Sequence, residues 1–323
     1  MATNVSMAAT NVSMATNVSM AATNVSMATN VSMAATNVSM ATTNIVIDKT
    51  YRLQKKIGEG SFGKIFSAVN KNNDDKDANT KQYAIKLILK EQHHTLFENE
   101  VAIYERLKGV KYIPSLYAVG TEGKYNYIVM DLLEQNLEQL RESYKANMNL
   151  KVVLHLGVQM LNIIEAIHSK GILHRDLKPA NFLLRTNPQS DLSELYLIDF
   201  GLATLFFTEH AGVKTHIPMK TNEPLMGTTR YMSTNVQQGF TASRKDDLES
   251  LGYILFFLQK GDLPWQNTGE MAAAIKQSFG WAYANNMAGE IIFFIQYCRS
   301  LPFTAKPNYE YLRNLLTNLS SIL

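Results

Sequence analysis

Cysteine is almost missing from this chain: Cys298 is the only one in 323 residues. No internal disulfide can form, and a lone thiol fits a reducing compartment, so the cytoplasm or nucleus is expected. Long apolar runs are scarce as well. The longest in the second half, Leu251 to Leu258, is far shorter than the roughly 20 residues a bilayer crossing needs, and reads as a buried helix. No membrane partner is indicated. The net charge of +3 is too small to argue for nucleic acid. What remains, 46% hydrophobic and 18% charged residues, fits a globular protein with a substantial core, expected to be a monomer.

Charge of either sign is absent from residues 1–47, where MATNVS alternates with MAATNVS and Met1, Met14, Met27 and Met40 each open a thirteen-residue unit. Solenoid repeats need about 20 residues or more per unit. The lack of arginine argues against a mitochondrial transit peptide, and no basic segment precedes an apolar one as expected of a secretory signal. The units opened by Met1, Met14 and Met27 carry Asn-Val-Ser, a glycosylation acceptor only in a secreted protein. The stretch is expected to be disordered, with the ordered domain spanning 48–323.

From Tyr51 the character changes. Gly58-Glu59-Gly60-Ser61-Phe62-Gly63 is followed by Lys64-Ile65-Phe66-Ser67-Ala68-Val69, whose β-branched and aromatic residues predict a strand. Dinucleotide-binding folds put such glycines at a strand-to-helix turn. Here they tip a hairpin, and glycine lets backbone approach phosphates closely. Thr80 falls in the long polar loop that follows. Tyr83-Ala84-Ile85-Lys86-Leu87-Ile88-Leu89 is a second strand with one lysine among apolar neighbours. By itself Lys86 reads as a snorkelling residue. Following a glycine hairpin, it stands where a protein kinase keeps its phosphate-binding lysine. The helical segment Leu96 to Leu107 offers Glu100 as its partner, with Glu98 as the competitor. His93 and His94 before it read as a solvated lead-in. Tyr125 to Leu133 predicts a strand running into a connection, and Leu150 to Ser169 has the apolar spacing of a core helix, on which His155 and His168 read as packing or surface residues.

His174-Arg175-Asp176-Leu177-Lys178-Pro179-Ala180-Asn181 reads as the catalytic loop of a protein kinase, and Leu195 to Ile198 leads as a strand into Asp199-Phe200-Gly201. Mg²⁺ takes hard oxygen ligands and keeps several waters, so the Asp199 carboxylate, the Asn181 amide oxygen and ATP phosphates suffice. Asp176 is placed to orient or deprotonate a Ser or Thr hydroxyl, and Lys178 to offset charge on the transferred group. His174 is expected to support the loop, and Asp247 to accept its backbone N–H groups.

Past Gly201 the usual Ala-Pro-Glu is missing. In its region stands Gly227-Thr228-Thr229-Arg230-Tyr231-Met232-Ser233-Thr234-Asn235, followed by Ser243 to Tyr253 and Gly261-Asp262-Leu263-Pro264-Trp265-Gln266. With His216-Ile217-Pro218 and Lys306-Pro307-Asn308-Tyr309, residues 51–323 resemble the casein kinase 1 family of Ser/Thr protein kinases. The resemblance implies an α+β, two-lobed fold: a small, mostly antiparallel β lobe (about 48–132) with one main helix, and a larger helical lobe (about 133–323). It implies ATP and Mg²⁺ as cofactors. Around ATP it implies Ile57, Gly58, Glu59, Gly60, Ser61, Phe62, Gly63, Ile65, Ala84, Lys86, Glu100, Met130, Asp131, Leu133 and Leu183. It further implies protein substrates with acidic or phosphorylated motifs, and activity without obligatory activation-segment phosphorylation. Lys214, Lys220 and Arg230 put positive charge in that segment. By position, Arg230, Gln266 and Lys276 resemble the family's anion pocket. Glu223 and Pro224 stand where basic and polar residues are expected, which weakens the implied taste for phosphorylated substrates. The alternative, a catalytically inactive kinase-fold scaffold, finds no support in the sequence, since Lys86, Asp176, Asn181 and Asp199 are all present. An oxidoreductase fails on the strand after Gly63.

Overall fold

The computed structural model describes residues 45–60, 63–72, 81–186, 193–279 and 289–322. The repeat through residue 44, Ser61, Phe62 and Thr80 lie outside the described residues. The end of the stretch expected to be disordered is corrected: Val46–Ile47 forms strand β1, paired antiparallel with β2 (Tyr51–Gly60). Ile47 is buried, and Leu53 N–H donates to the Ile45 carbonyl at 2.9 Å. Three β-branched residues in a row favour an extended chain that can bury one face. Asp48 and Lys49 both have φ of 52°, and Thr50 N–H donates to Ile47 O at 3.1 Å, which closes the hairpin in the turn geometry that matches strand twist.

Strands β3 (Gly63–Asn70), β4 (Gln82–Leu89), β5 (Leu116–Glu122) and β6 (Tyr125–Asp131) complete a six-stranded sheet in the order β1-β2-β3-β4-β6-β5, antiparallel throughout. Side chains alternate across a strand, so β4 splits its residues between two faces. Ile85 and Leu87 pack with Leu53, Ala68 and Val129 on one side. Ala84 and Ile88 face the other core, with Phe97, Ile103 and Tyr104 of helix α1 (Lys90–Arg106). The same parity carries Lys86 to that side. Helix α1 starts six residues before the expected Leu96, with a break at His93 (φ −141°).

The larger lobe begins with α2 (Leu137–Ser143) and α3 (Leu150–Ser169). Asn149 caps α3 by accepting Lys151 N–H at 2.8 Å, and Gly171 follows its end with φ of 81°. A Cβ at Gly171 would collide with the Phe207 ring, so the exit admits only glycine. The short strands β7 (Ile172–Leu173), β8 (Phe182–Thr186), β9 (Ser193–Leu197) and β10 (Thr204–Leu205) flank the connecting loops as β7–β10 and β8–β9 pairs. A third pair, β11 (Phe207–His210) and β12 (Val213–His216), opens the segment leading to α4 (Thr234–Gln237).

Helix α5 (Arg244–Lys260) runs through the centre of the lobe, started by a Ser243–Asp246 capping box and stopped by Gly261 at φ 93°. It packs against α3 and α7 (Gly289–Ser300), while α8 (Tyr309–Ile322) closes over α3; α6 (Ala272–Ser278) lies near α4. Among the described residues α3 is the one helix long and apolar enough to cross a membrane. Here it is a core helix, with Leu154, Leu161 and Ile164 sealed inside the same cluster as Leu255 and Leu316. Cys298 is fully buried in that cluster.

Candidate active site

A cleft of about 730 Å³ receives the glycine hairpin, the end of β6 and the loops on either side of β8 and β9. That volume lies within the range of roughly 300–1,000 Å³ usual for small-molecule sites. Within it, Lys86 Nζ lies 2.8 Å from both carboxylate oxygens of Glu100 and 2.7 Å from Asp199 Oδ1. Glu98 points elsewhere and pairs with His94. Burial works to lower the Lys86 pKa, but the two carboxylates outweigh it and hold the ammonium above its usual range. The buried Glu100 carboxyl is pushed up, by burial first and then by Asp199. Asp199 is held low: burial opposes ionisation, and the nearby Lys86 charge overrides it.

The loop from His174 to Asn181 is tied down from three sides. Asp247, in the first turn of α5, accepts the N–H of His174 at 2.8 Å and of Arg175 at 2.9 Å. The His174 ring stacks edge-on against Phe200 at 5.1 Å, with Nε2–H directed at the Ile198 carbonyl (3.0 Å) and Nδ1 accepting from Asp176 N–H. Asn181 Nδ2 donates to the Asp176 carbonyl at 2.9 Å. Arg175 and Asp199 both adopt φ of 67°, an uncommon state for residues with a Cβ that persists only where neighbours impose it. Asp247, which accepts the Arg175 N–H, and Lys86, which donates to Asp199, are those neighbours.

Asp176 itself is buried, 6% exposed, and its two oxygens are separately engaged. Oδ1 accepts Thr228 N–H at 2.7 Å, and Oδ2 accepts from Lys178 Nζ at 2.7 Å. Both donors fix its plane.

A family model for the protein kinase domain matches residues 51–311. The chain belongs to the protein kinase family. Protein kinases use ATP and a divalent metal ion, and the donor set in this kinase fits both. Asp199 keeps its carboxylate 24% exposed with one oxygen on Lys86, and the Asn181 amide oxygen is the hard donor left once its nitrogen is engaged. Two carboxylates around one ammonium also leave excess negative charge for a cation to balance. At Gly60 a Cβ would meet nothing within 4 Å, so the hairpin presents open backbone to the cleft.

The kinase brings nearly all of the expected residues to this cleft. Ile57, Gly58, Glu59, Gly60, Gly63 and Ile65 form its roof, and Ala84, Met130, Leu133 and Leu183 its apolar interior. Ser61 and Phe62 lie outside the described residues. Asp131 reaches the wall, but its carboxylate is engaged elsewhere, by Ser115 N–H at 2.9 Å and the Tyr117 hydroxyl at 2.6 Å.

The anion pocket needs a correction. Lys276 is neither open nor a solvated surface cation: it is 0% exposed, and its Nζ donates to the carbonyls of Thr229 (2.8 Å) and Met232 (2.9 Å). The rings of Tyr253 and Trp265 lie 5.5 and 5.3 Å from the ammonium. A buried lysine needs such partners, and these carbonyls belong to the segment facing Asp176. Gln266 is half-buried, its Oε1 without a partner among the described residues. Arg230 stays partly exposed, 3.8 Å from Glu138.

Gly227, Thr228, Tyr104 and the Asn136–Gln139 pair also line the cleft of this kinase, and sequence reasoning gave none of them a part in the site. Gly227 is the one that left a signal: a glycine beside Thr228, at φ 103°, allows the close approach to Arg175 and Asp176.

Proposed function

We propose that the chain is an active serine/threonine protein kinase of the casein kinase 1 type, transferring the γ-phosphate of ATP to proteins near acidic or phosphorylated residues. The observation that carries this reading is the Lys86 ammonium, bonded at once to Glu100 and Asp199 in a cleft that Asp176 and Asn181 also line. An assembled lysine–carboxylate pair beside the metal-binding aspartate is what phosphoryl transfer requires of a kinase.

In this reading Asp176 accepts the proton of the substrate hydroxyl. Thr228 N–H and Lys178 keep it oriented, and Lys178 then balances charge on the group in transit. Lys86 would bind ATP phosphates, and Asp199 and Asn181 would hold the Mg²⁺ that neutralises them. Substrate preference rests on Arg230, with exposed Lys220 on the same segment. Arg230 has Glu138 within 3.8 Å, so an incoming anion competes with a resident carboxylate and the preference is graded rather than absolute. The lone, buried Cys298 suits a reducing location, the cytoplasm or nucleus.

Purified protein with ATP·Mg²⁺ is expected to phosphorylate an acidic or phosphate-primed Ser/Thr peptide, and Asp199→Asn to abolish the reaction. Transfer that survives this substitution means the metal assignment is wrong. Transfer to tyrosine alone removes the substrate class, and ATP binding with no transfer to any peptide leaves a scaffold. Arg230→Ala is expected to lower the primed-to-unprimed ratio; an unmoved ratio excludes Arg230 as the anion contact.

A further inference from the structure

A line of buried polar groups runs from the start of α8 to the catalytic loop. Pro307 precedes the helix, and Asn308 caps it, its side chain accepting Tyr311 N–H at 2.9 Å. Tyr309, the first helical residue, is left 5% exposed, with its hydroxyl 2.7 Å from His168 Nδ1 at the end of α3. His168 Nε2 lies 2.9 Å from Asp247 Oδ2, and Asp247 in turn holds the N–H groups of His174 and Arg175. Tyr309, His168 and Asp247 come from three helices, and none is more than 5% exposed.

The proton positions follow from chemistry. Burial works to raise the Asp247 pKa, but the hydrogen bonds it accepts from His168 and from the Arg175 N–H hold it below the usual range. It is an ionised acceptor, so Nε2 of His168 carries a proton. Burial pushes the Tyr309 phenol well above its ordinary pKa, so it stays protonated and can donate to Nδ1. An imidazole bonded at both nitrogens has one orientation and one neutral tautomer. The rings of Phe206, at 6.4 Å, and Tyr309, at 6.0 Å, wedge it from the sides.

We propose that Tyr309 is a positioning residue for catalysis: its hydroxyl fixes the His168 ring, so that Asp247 stays aligned on the backbone of the catalytic loop. The residue so held, Arg175, has φ of 67° and immediately precedes Asp176. Loosening Asp247 lets that strained residue relax and carries Asp176 off its line. A polar connection therefore links the last described helix to the reacting centre, through groups that never touch substrate. Its activity readout rests on the kinase reading above; its structural readouts do not.

The test uses the full chain. In the wild type, ¹⁵N NMR of His168 is expected to show the Nε2–H tautomer, and the Nδ1–H tautomer would overturn the proposal before any variant is made. Tyr309→Phe removes one oxygen and keeps the ring. It is expected to mix the tautomers and to speed amide exchange at His174 and Arg175 by about tenfold. It should lower kcat by a similar factor with KM for ATP unchanged. His168→Gln and the double variant complete a cycle, in which coupled residues give non-additive exchange rates. Additive effects, or a Tyr309→Phe protein with a lower Tm but unmoved tautomer and exchange, would show a packing role only and overturn the proposal. Exchange and tautomer are read without substrate, so an inactive wild type would sink the kinase reading and still leave this question answered.

Discussion

A methyl group at Gly227 would lie 2.8 Å from the Arg175 carbonyl oxygen and 3.3 Å from Asp176 Oδ1, on backbone at φ 103°. Neither neighbour can yield, since one is backbone and the other is the candidate base. Gly227→Ala is therefore expected to displace Thr228 N–H from Asp176 and to lower kcat at least about tenfold, in keeping with the ~1–3 kcal/mol of a strained residue. ATP affinity should stay as it was, because the nucleotide side of the cleft is untouched. Steady-state kinetics separates the two, and an unchanged kcat would show that the segment can move. At Lys276 the readout is pH. Burial first, and the Arg299 charge with it, pushes the ammonium down to about 8 from an ordinary 10.5. The unfolded chain then binds more protons between about pH 8 and 10.5, so this residue's contribution to stability improves as pH rises through that window and is least favourable below it. Measured as Tm against pH, the wild type should gain on Lys276→Met across the window. A constant gap between them would contradict the burial. Lys86 and Lys276 also show what single residues disclose in a sequence. Lys86 sits in an apolar strand after a glycine hairpin, so its neighbours give away its burial. Lys276 follows Ala-Ala-Ala-Ile and precedes Gln-Ser, and nothing local reveals that two carbonyls from 44 and 47 residues earlier close over it.

Helix ends were legible for α3 but not for α5, whose apolar run Leu251 to Leu258 falls short of Arg244–Lys260 at both ends despite the capping box and Gly261 that mark it. Leu150 to Ser169 was bounded correctly because Asn149 and Gly171 punctuate it. Helix α1 has no side chain bonded at its start, only Leu89, and begins six residues before the periodic stretch because it continues β4 through the break at His93. The face of β4 that meets the cleft was open to reading from its alternation. The place of Thr228 was not, because it depends on Gly227 folding back over a loop 52 residues earlier. At this scale the α2 capping box makes a measurable contribution. Asn136 accepts Gln139 N–H at 2.8 Å, Gln139 returns a bond to Asn136 N–H at 3.0 Å, and Asn136 pairs with Leu183 in the cleft wall. Asn136→Ala is expected to cost about 1 kcal/mol of stability. It should also weaken ATP binding, since Leu183 and Gln139 line the same cleft. Denaturant unfolding and a nucleotide titration check the two parts, and a stability loss with unchanged ATP affinity would confine the box to holding α2.

Across the whole molecule, both lobes contribute to one cleft: Lys86 and Glu100 belong to the sheet and its helix, and Asp176, Asn181 and Asp199 to the helical lobe. A ligand gripped by both lobes stabilises the folded chain by mass action, about 2.7 kcal/mol at a hundred times its Kd. ATP with Mg²⁺ is thus expected to raise Tm by roughly 5–10 °C, and ATP with a chelator by much less. In Asp199→Asn the difference between the two should collapse, and a metal-dependent shift that persists would place the ion elsewhere. Cys298 offers a different view of the whole molecule. It is the chain's one thiol, 0% exposed on α7, and burial pushes its pKa well above the ordinary value, so the native state presents no reactive thiolate. Covalent labelling by a thiol reagent must then wait for the helical lobe to open. Each molecule can react only once and at one place, so the labelling rate counts openings, and the protein carries its own stopwatch for them.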